Sequence, residues 1–466
     1  MASDDSSSSS SMSSNDSSLD DTFGTFASRG SNVTFAEDLC IASIALSFRA
    51  DWLAAARMNW KLHVQSLVHE NLFHVKYRMS LDSFNKLLDL LTPALRLKEQ
   101  FAIVSGFEPI CCEVMLHCAI RYLAGGSYHD IRATAHISKP SFFRLLWHTI
   151  DAINSCPALA VELPEPTAGG LSLLRAGFRG ISYCGVMDGC VGALDGYLMW
   201  ITAPSHAECG NVTAYFSGHY CTYGVNIQAM CDADCRFTFF SLAAPGKTND
   251  NVAIKKTSLP AWLESLPLGY FIAADCAYSL TEHFFTPYSR PQRFLERNDN
   301  FNFFLSQLCI RIIMAFGLLV TMWLILHTPI NVKFSNLKKL VSGIIRLHNY
   351  CINNHEEKPL ISWMFKISAT QQHPHEPSVL GYIPSDAPHV ISREGVSHLR
   401  EILSRRVANN NLERPITAAT RSGLQQRRLT MYEWMTMIMS IIIMPDNNYY
   451  WKRGVFVAGR AVKLVT

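Results

Sequence analysis

Tyr270-Phe-Ile-Ala-Ala-Asp275-Cys-Ala-Tyr278 is the stretch on which the fold of this chain turns. A short apolar run that ends in an acid reads as a buried strand delivering a carboxylate to the edge of a sheet, where a metal-binding group can be held rigidly. Val191-Gly-Ala-Leu-Asp195-Gly196 repeats the pattern. Taken alone, each Asp is more often a turn or cap residue. Two of them at the ends of two apolar strands point to ligation.

Working outward, residues 186–195, 220–230, 236–243 and 270–274 read as strands, with Asp232-Ala-Asp234 turning the middle pair into a hairpin. Helical segments are expected near 251–256 and over 305–326, and Glu296 and Asp299 are expected in a loop ahead of the second. Upstream, residues 36–165 carry apolar residues at helical spacing, as in Leu81, Phe84, Leu87, Leu88 and Leu91. Three short helices fall at 113–123, 127–135 and 141–153, with Ser138 placed to cap the last and Pro140 suited to its first turn. That spacing suits a helix-turn-helix, in which Lys139, Arg144 and His148 would meet DNA. Plain three-helix packing is the alternative, because Phe142, Phe143, Leu145, Leu146 and Trp147 leave little polar surface on the third helix.

The ordered motifs between 185 and 354 resemble the DDE endonuclease domain of Harbinger-type transposases. They are Gly192-Ala-Leu-Asp-Gly196, Ser217-Gly-His219, Tyr223-Gly-Val-Asn-Ile-Gln228, Pro245-Gly-Lys-Thr-Asn-Asp250, Asp275-Cys-Ala-Tyr278, Phe301-Asn-Phe-Phe-Leu-Ser306, Ala315-Phe-Gly317 and Leu347-His-Asn349. The resemblance implies an α/β, ribonuclease H-like nuclease domain at 180–355, preceded by an all-α, helix-turn-helix-like domain at 36–165. It implies Asp195 and Asp275 as catalytic metal ligands, Mg or Mn as cofactor, DNA as substrate, a Myb-like helper protein and a nuclear location. The family's third acid is a Glu two residues before the Ala-Phe-Gly, and Ile313 stands there. Cys309, Met322 and Leu324 occupy positions where similar proteins carry basic residues. No Asp or Glu occurs from Phe301 to His355, so Asp250, Asp188, Glu282, Glu296 and Asp299 are the only nearby acids that could substitute. His219 and His348 read as structural contacts, since a hard magnesium site favours oxygen. Lys247 is either near a phosphate or solvated.

Residues 1–35 are rich in Ser and Asp with little to bury, and read as a disordered tail. The acids of this region leave the rest of a chain of formal net charge +3 distinctly basic, which suits a phosphate-binding surface. Fourteen cysteines without a leading signal peptide read as free thiols in a reducing compartment. Residues 312–326 are apolar but short of the roughly twenty needed to cross a bilayer, which argues against a membrane span. In the extension at 356–466, residues 393–428 are arginine-rich: either a solvated amphipathic helix ending near Asn409, or a nuclear-import or DNA-backbone patch. The apolar segment 432–444 reads as a packed helix or strand. Two functions follow: a transposon-derived DDE endonuclease lacking its third acid, or a non-catalytic DNA-binding protein of the same origin.

Overall fold

A computed structural model describes residues 57–96, 110–356 and 397–414. The tail at 1–35, the start of the helical region, the 432–444 segment and half of the arginine-rich stretch lie outside the described residues.

The helical half comprises α1 (Trp60–His69), α2 (Phe73–Tyr77), α3 (Leu81–Leu95), α4 (Cys112–Leu123), α5 (Tyr128–Ala135) and α6 (Lys139–Ser155). The last three fall close to the ranges read from periodicity. α5 ends because His136 adopts a left-handed conformation (φ 54°), and α6 starts because the Ser138 hydroxyl accepts from the Ser141 N–H at 3.3 Å. Phe142, Leu145, Leu146, Ile150 and Ile153 of α6 are buried, so this face faces the core and not solvent.

Helix α7 (Ser172–Ile181) leads into a six-stranded sheet formed by β1 (Cys190–Trp200), β2 (Phe216–Ser217), β3 (Thr222–Cys231), β4 (Phe237–Pro245), β5 (Phe271–Ala273) and β6 (Phe284–Phe285). β3 pairs antiparallel with β1 and with β4, while β1, β5 and β6 run parallel. β1 is therefore central, and its register sets Ala193 opposite Ala273 on β5 and Asp195 opposite Ala229 on β3. β1 continues to Trp200, so Asp195 lies inside a strand and does not end one as expected. Tyr197-Leu-Met-Trp200 extends the apolar run after the Asp-Gly, and pairing with β3 carries the strand through.

Short helices α8 (His206–Cys209), α9 (Asp250–Ile254) and α10 (Leu259–Glu264) occupy the connections. The long α11 (Glu296–Met322) covers one face of the sheet, and α12 (Phe334–Asn353) packs between the sheet and α6. α11 begins earlier than the expected 305. Glu296 and Asp299 form its first turn and not a loop, and its regular turns stop at Met322, after which Leu324–His327 is a 3-10 turn. Polar residues hid that start: Asn298 and Asn300 are buried, and the Asn298 amide donates to Gln292 O at 2.9 Å. At its true length α11 is the one helix among the described residues long and apolar enough to cross a membrane, and 67% of its most apolar window is buried inside the protein. Its length thus gives no argument against a span; its packing on the sheet does.

One continuous apolar core runs from Leu67 through the sheet to Val407. A smaller one, including Leu194, Met230 and Ile272, fills the opposite face of the sheet. The arginine-rich helix ends at Asn409 as expected, but α13 (His398–Asn409) is not fully solvated, because Leu399, Leu403 and Val407 are buried against the rest of the chain.

Candidate functional site

Strand alternation places Ala193, Asp195, Tyr197 and Met199 on the sheet face that α11 covers, and Leu194 and Gly196 on the other. The Tyr197 ring stacks on Phe316 of α11 at 5.1 Å. Asp275 follows β5, which lies beside β1, and it is exposed while Asp195 is half-buried. The Asp275 carboxylate accepts from the Ala277 N–H at 2.8 Å, a turn contact that fixes its backbone. Burial pushes the Asp195 carboxyl well above the usual carboxylate range, and the Asp275 charge pushes it further; the Gly196 N–H donating at 2.8 Å opposes the shift, and Asp250 adds a smaller upward effect. A carboxyl that resists ionisation beside a second acid is one that a cation would stabilise. The structure thus brings Asp195 and Asp275 together.

Ile313 shares the α11 face that meets this part of the sheet. On α11 the Cys309 thiol donates to Ala274 O at 3.6 Å, next to Asp275, and Phe316 covers Tyr197, two residues beyond Asp195. Residue 313 is one turn from 309 and one from 316, so its half-buried side chain stands between the two contacts. Helical geometry therefore puts position 313 on the turn of α11 between the contacts to Ala274 and Tyr197. An isoleucine offers no oxygen there. Cys309 and Met322 are held in packing, Met322 being 2% exposed.

None of the other acids fills the gap. Gly196 points away from Asp195, and a Cβ built there would meet the Asp250 carboxylate, so Asp250 lies on the opposite face of the sheet. It is fixed by the Asn226 amide at 2.8 Å and the Gln228 amide at 2.9 Å, and Gln228 in turn accepts from the Tyr278 hydroxyl at 2.7 Å. Asp188 forms a two-pronged pair with Arg175, both contacts at 2.7 Å. Glu282 accepts from the His398 and Leu399 N–H groups at 2.7 and 2.8 Å and caps α13. Asp299 pairs with Arg293 and Arg414. Glu296 is exposed at the far end of α11, roughly 25 Å along the axis from Ile313 at about 1.5 Å per residue. Among the described residues no group of three or more His, Cys, Asp or Glu could hold a metal ion.

Two carboxylates, one inside β1 and one just past β5, fit one shared divalent ion; they do not fit a two-metal site. The ion that Asp195 and Asp275 would hold supplies Lewis-acid polarisation of a phosphodiester and of water.

The other motifs serve structure. Asn349 makes two 2.8 Å bonds to the backbone of Phe237, and the His348 ring lies 3.0 Å from Cys235 O, so Leu347-His-Asn349 clamps the β3–β4 hairpin to α12. Sequence reading assigned no role to Asn226, Gln228 and Tyr278. The signal for Asn226 and Gln228 was alternating polarity inside an apolar strand, and the structure joins three motifs through these residues and Tyr278 into one polar network. Lys247 and His219 line a polar pocket of about 390 Å³ with Ser217, Asn226, Thr248 and Asp250.

In the helical half, Lys139 and Arg144 are exposed on the first turns of α6. The Lys139 ammonium stands 5.9 Å from the Tyr128 ring centre. His148 is half-buried with its ring 3.3 Å from Leu95 O, and Asp151 is paired with Lys339 of α12 at 2.9 Å. Only the N-terminal end of this helix face stays open.

Residues 194–349 match the family model of the DDE superfamily endonuclease. That match supports the superfamily for the sheet-bearing part of the chain, and with it a family of transposon-derived nucleases. No curated protein and no solved structure matches the chain.

Proposed function

We propose that this protein is a transposase-derived, DNA-binding member of the DDE endonuclease superfamily that does not cut efficiently. What carries this reading is an isoleucine at position 313, on the α11 face that meets Ala274 and Tyr197, with Asp188, Glu282 and Asp299 engaged elsewhere and Asp250 held by Asn226 and Gln228. A two-metal cut needs charge stabilisation at both the attacking and the leaving oxygen, and two carboxylates supply half of that arrangement. Three antiparallel strands followed by parallel β5 and β6 support reading the sheet as ribonuclease H-like. The His136–Ser138 turn ahead of α6 supports the helix-turn-helix, and the open N-terminal end of that helix fits entry into a major groove, with Lys139 and Arg144 meeting phosphates before bases. A nuclear location and a Myb-like helper are implied by resemblance alone, and the burial of α11 supports a protein outside the membrane.

Duplex binding by the full chain is the test. Affinity is expected to fall as salt rises, and the variant Lys139→Glu, Arg144→Glu is expected to bind at least tenfold more weakly. Equal binding by both proteins removes α6 from the interface.

A further inference from the structure

Three cations in the helical half have no ion-pair partner among the described residues. Lys76 and Arg78 occupy the C-terminal end of α2, Arg78 as its left-handed cap. Arg121, in the last turn of α4, reaches across so that its Nη1 donates to Lys76 O at 3.4 Å. That contact holds the Arg121 side chain against the end of α2, and all three residues are half-buried. The Nε of Arg78 is shut off from solvent and has no hydrogen-bond partner among the described residues. A helix C-terminus favours nearby cations, which accounts for Lys76 and Arg78 at the end of α2. It gives no reason for a third cation there, nor for burying an N–H of Arg78 unmatched.

Among the described residues no acid pairs with these three cations. Burial and the Arg121 charge both lower the pKa of Arg78. Burial lowers the pKa of His63, and the Lys76 and Arg121 charges lower it further. Burial also lowers His327, and the Arg78 charge adds to it. His327 belongs to the turn after α11, so the cluster lies where the helical half meets the sheet half. Glu356 comes closest in the hydrogen-bond pattern, but it is taken up by Ser80 and Ser83 and lies 3.6 Å from the His74 ring. Clustered cations that repel one another, with an unmatched buried donor, are arranged for an anion that arrives from outside. The planar fork of arginine suits the oxygens of a phosphate group.

We propose that Lys76, Arg78 and Arg121 form a binding site for a phosphate oxoanion, filled in the working protein by a phosphodiester of the DNA backbone. The site lies outside residues 194–349 and away from Lys139 and Arg144. Only the source of the phosphate rests on the DNA-binding reading above.

The first arm of the test uses the full chain and inorganic phosphate, with chloride at matched ionic strength as control. Phosphate is expected to raise the melting temperature of the unmodified protein, and Arg78→Gln and Arg121→Gln are each expected to lose that rise. In chloride, Arg78→Gln should melt no lower than the parent, because it removes an uncompensated charge. An equal phosphate response in the parent and both variants overturns the site. So does an Arg78→Gln protein that melts lower in chloride and keeps the phosphate response. The second arm measures duplex affinity against salt, where each lost phosphate contact lowers the logarithmic slope by about one. A lower slope in both variants assigns the site to DNA. Loss of the phosphate response with an unchanged slope, or with no duplex binding by the parent, upholds the oxoanion site, assigns it to free phosphate, and leaves the DNA-binding reading to fail on its own.

Discussion

Replacing Ile313 by Glu tests the geometry of the site without requiring catalysis. The substitution removes a half-buried isoleucine, worth on the order of 1 kcal/mol, and sets a carboxylate beside Asp195 and Asp275. Asp195 already resists ionisation because of burial and the Asp275 charge, so a third acid adds repulsion and desolvation. Together these effects should cost on the order of 2–4 kcal/mol without metal, lowering the melting temperature by roughly 5–10 °C. A divalent ion reverses the sign of the local field. At a hundred times its dissociation constant it returns about 2.7 kcal/mol. Thermal melts of both proteins in EDTA, Mg and Mn are the assay. The variant should start lower and gain more from metal than the parent does. A variant that melts like the parent in EDTA and ignores metal would show that residue 313 does not face the carboxylates, and the reasoning about the third position would fail.

Three further outcomes follow from named groups. Asp195 has a pKa raised above 3.8, so its favourable contribution is complete below that value and is lost as pH rises through the folded-state pKa; Asp195→Asn should therefore melt higher than the parent at pH 7–8 and converge with it near pH 4, and a variant less stable at pH 8 contradicts this. His117 and His348 are buried with pKa values lowered from 6.5 to about 3 and about 4, chiefly by burial; each should cost about 2 kcal/mol of stability at pH 5 relative to pH 7.5, the loss setting in below 6.5 and levelling off under the folded pKa, and urea melts across pH that stay flat between 7 and 5 would refute it. Glu282→Gln should weaken the cap of α13 by roughly 1–3 kcal/mol and speed amide exchange in 398–409 while leaving the sheet protected; uniform exchange across the protein would mean that α13 is not held through Glu282.

Where the sequence carried a period or a local chemical rule, the fold was legible. The Asp232-Ala-Asp234 turn, the Ser138 cap and the three short helices are such cases, because hairpin turns, caps and apolar spacing are decided within a few residues. Asp195 and Asp275 were legible as acids that follow apolar runs, and their proximity rests on β1 and β5 being parallel neighbours. The start of α11 was not, because Asn298 and Asn300 are polar yet buried by contacts distant in sequence. Nor could the chain show that Asp250 lies across the sheet from Asp195. That depends on the pairing of Gly196 with Gln228, which is set by register between strands and not by spacing along the chain. The capping role of Glu282 needed α13, more than a hundred residues downstream in the hydrogen-bond pattern.

The most direct measurement is a nicking assay on supercoiled DNA with Mg or Mn, comparing the unmodified protein with Asp195→Ala. The account predicts no metal-dependent nicking above background by either protein, while duplex binding persists. Robust cleavage by the unmodified chain that Asp195→Ala abolishes would contradict it, and would mean that a ligand other than residue 313 completes the site.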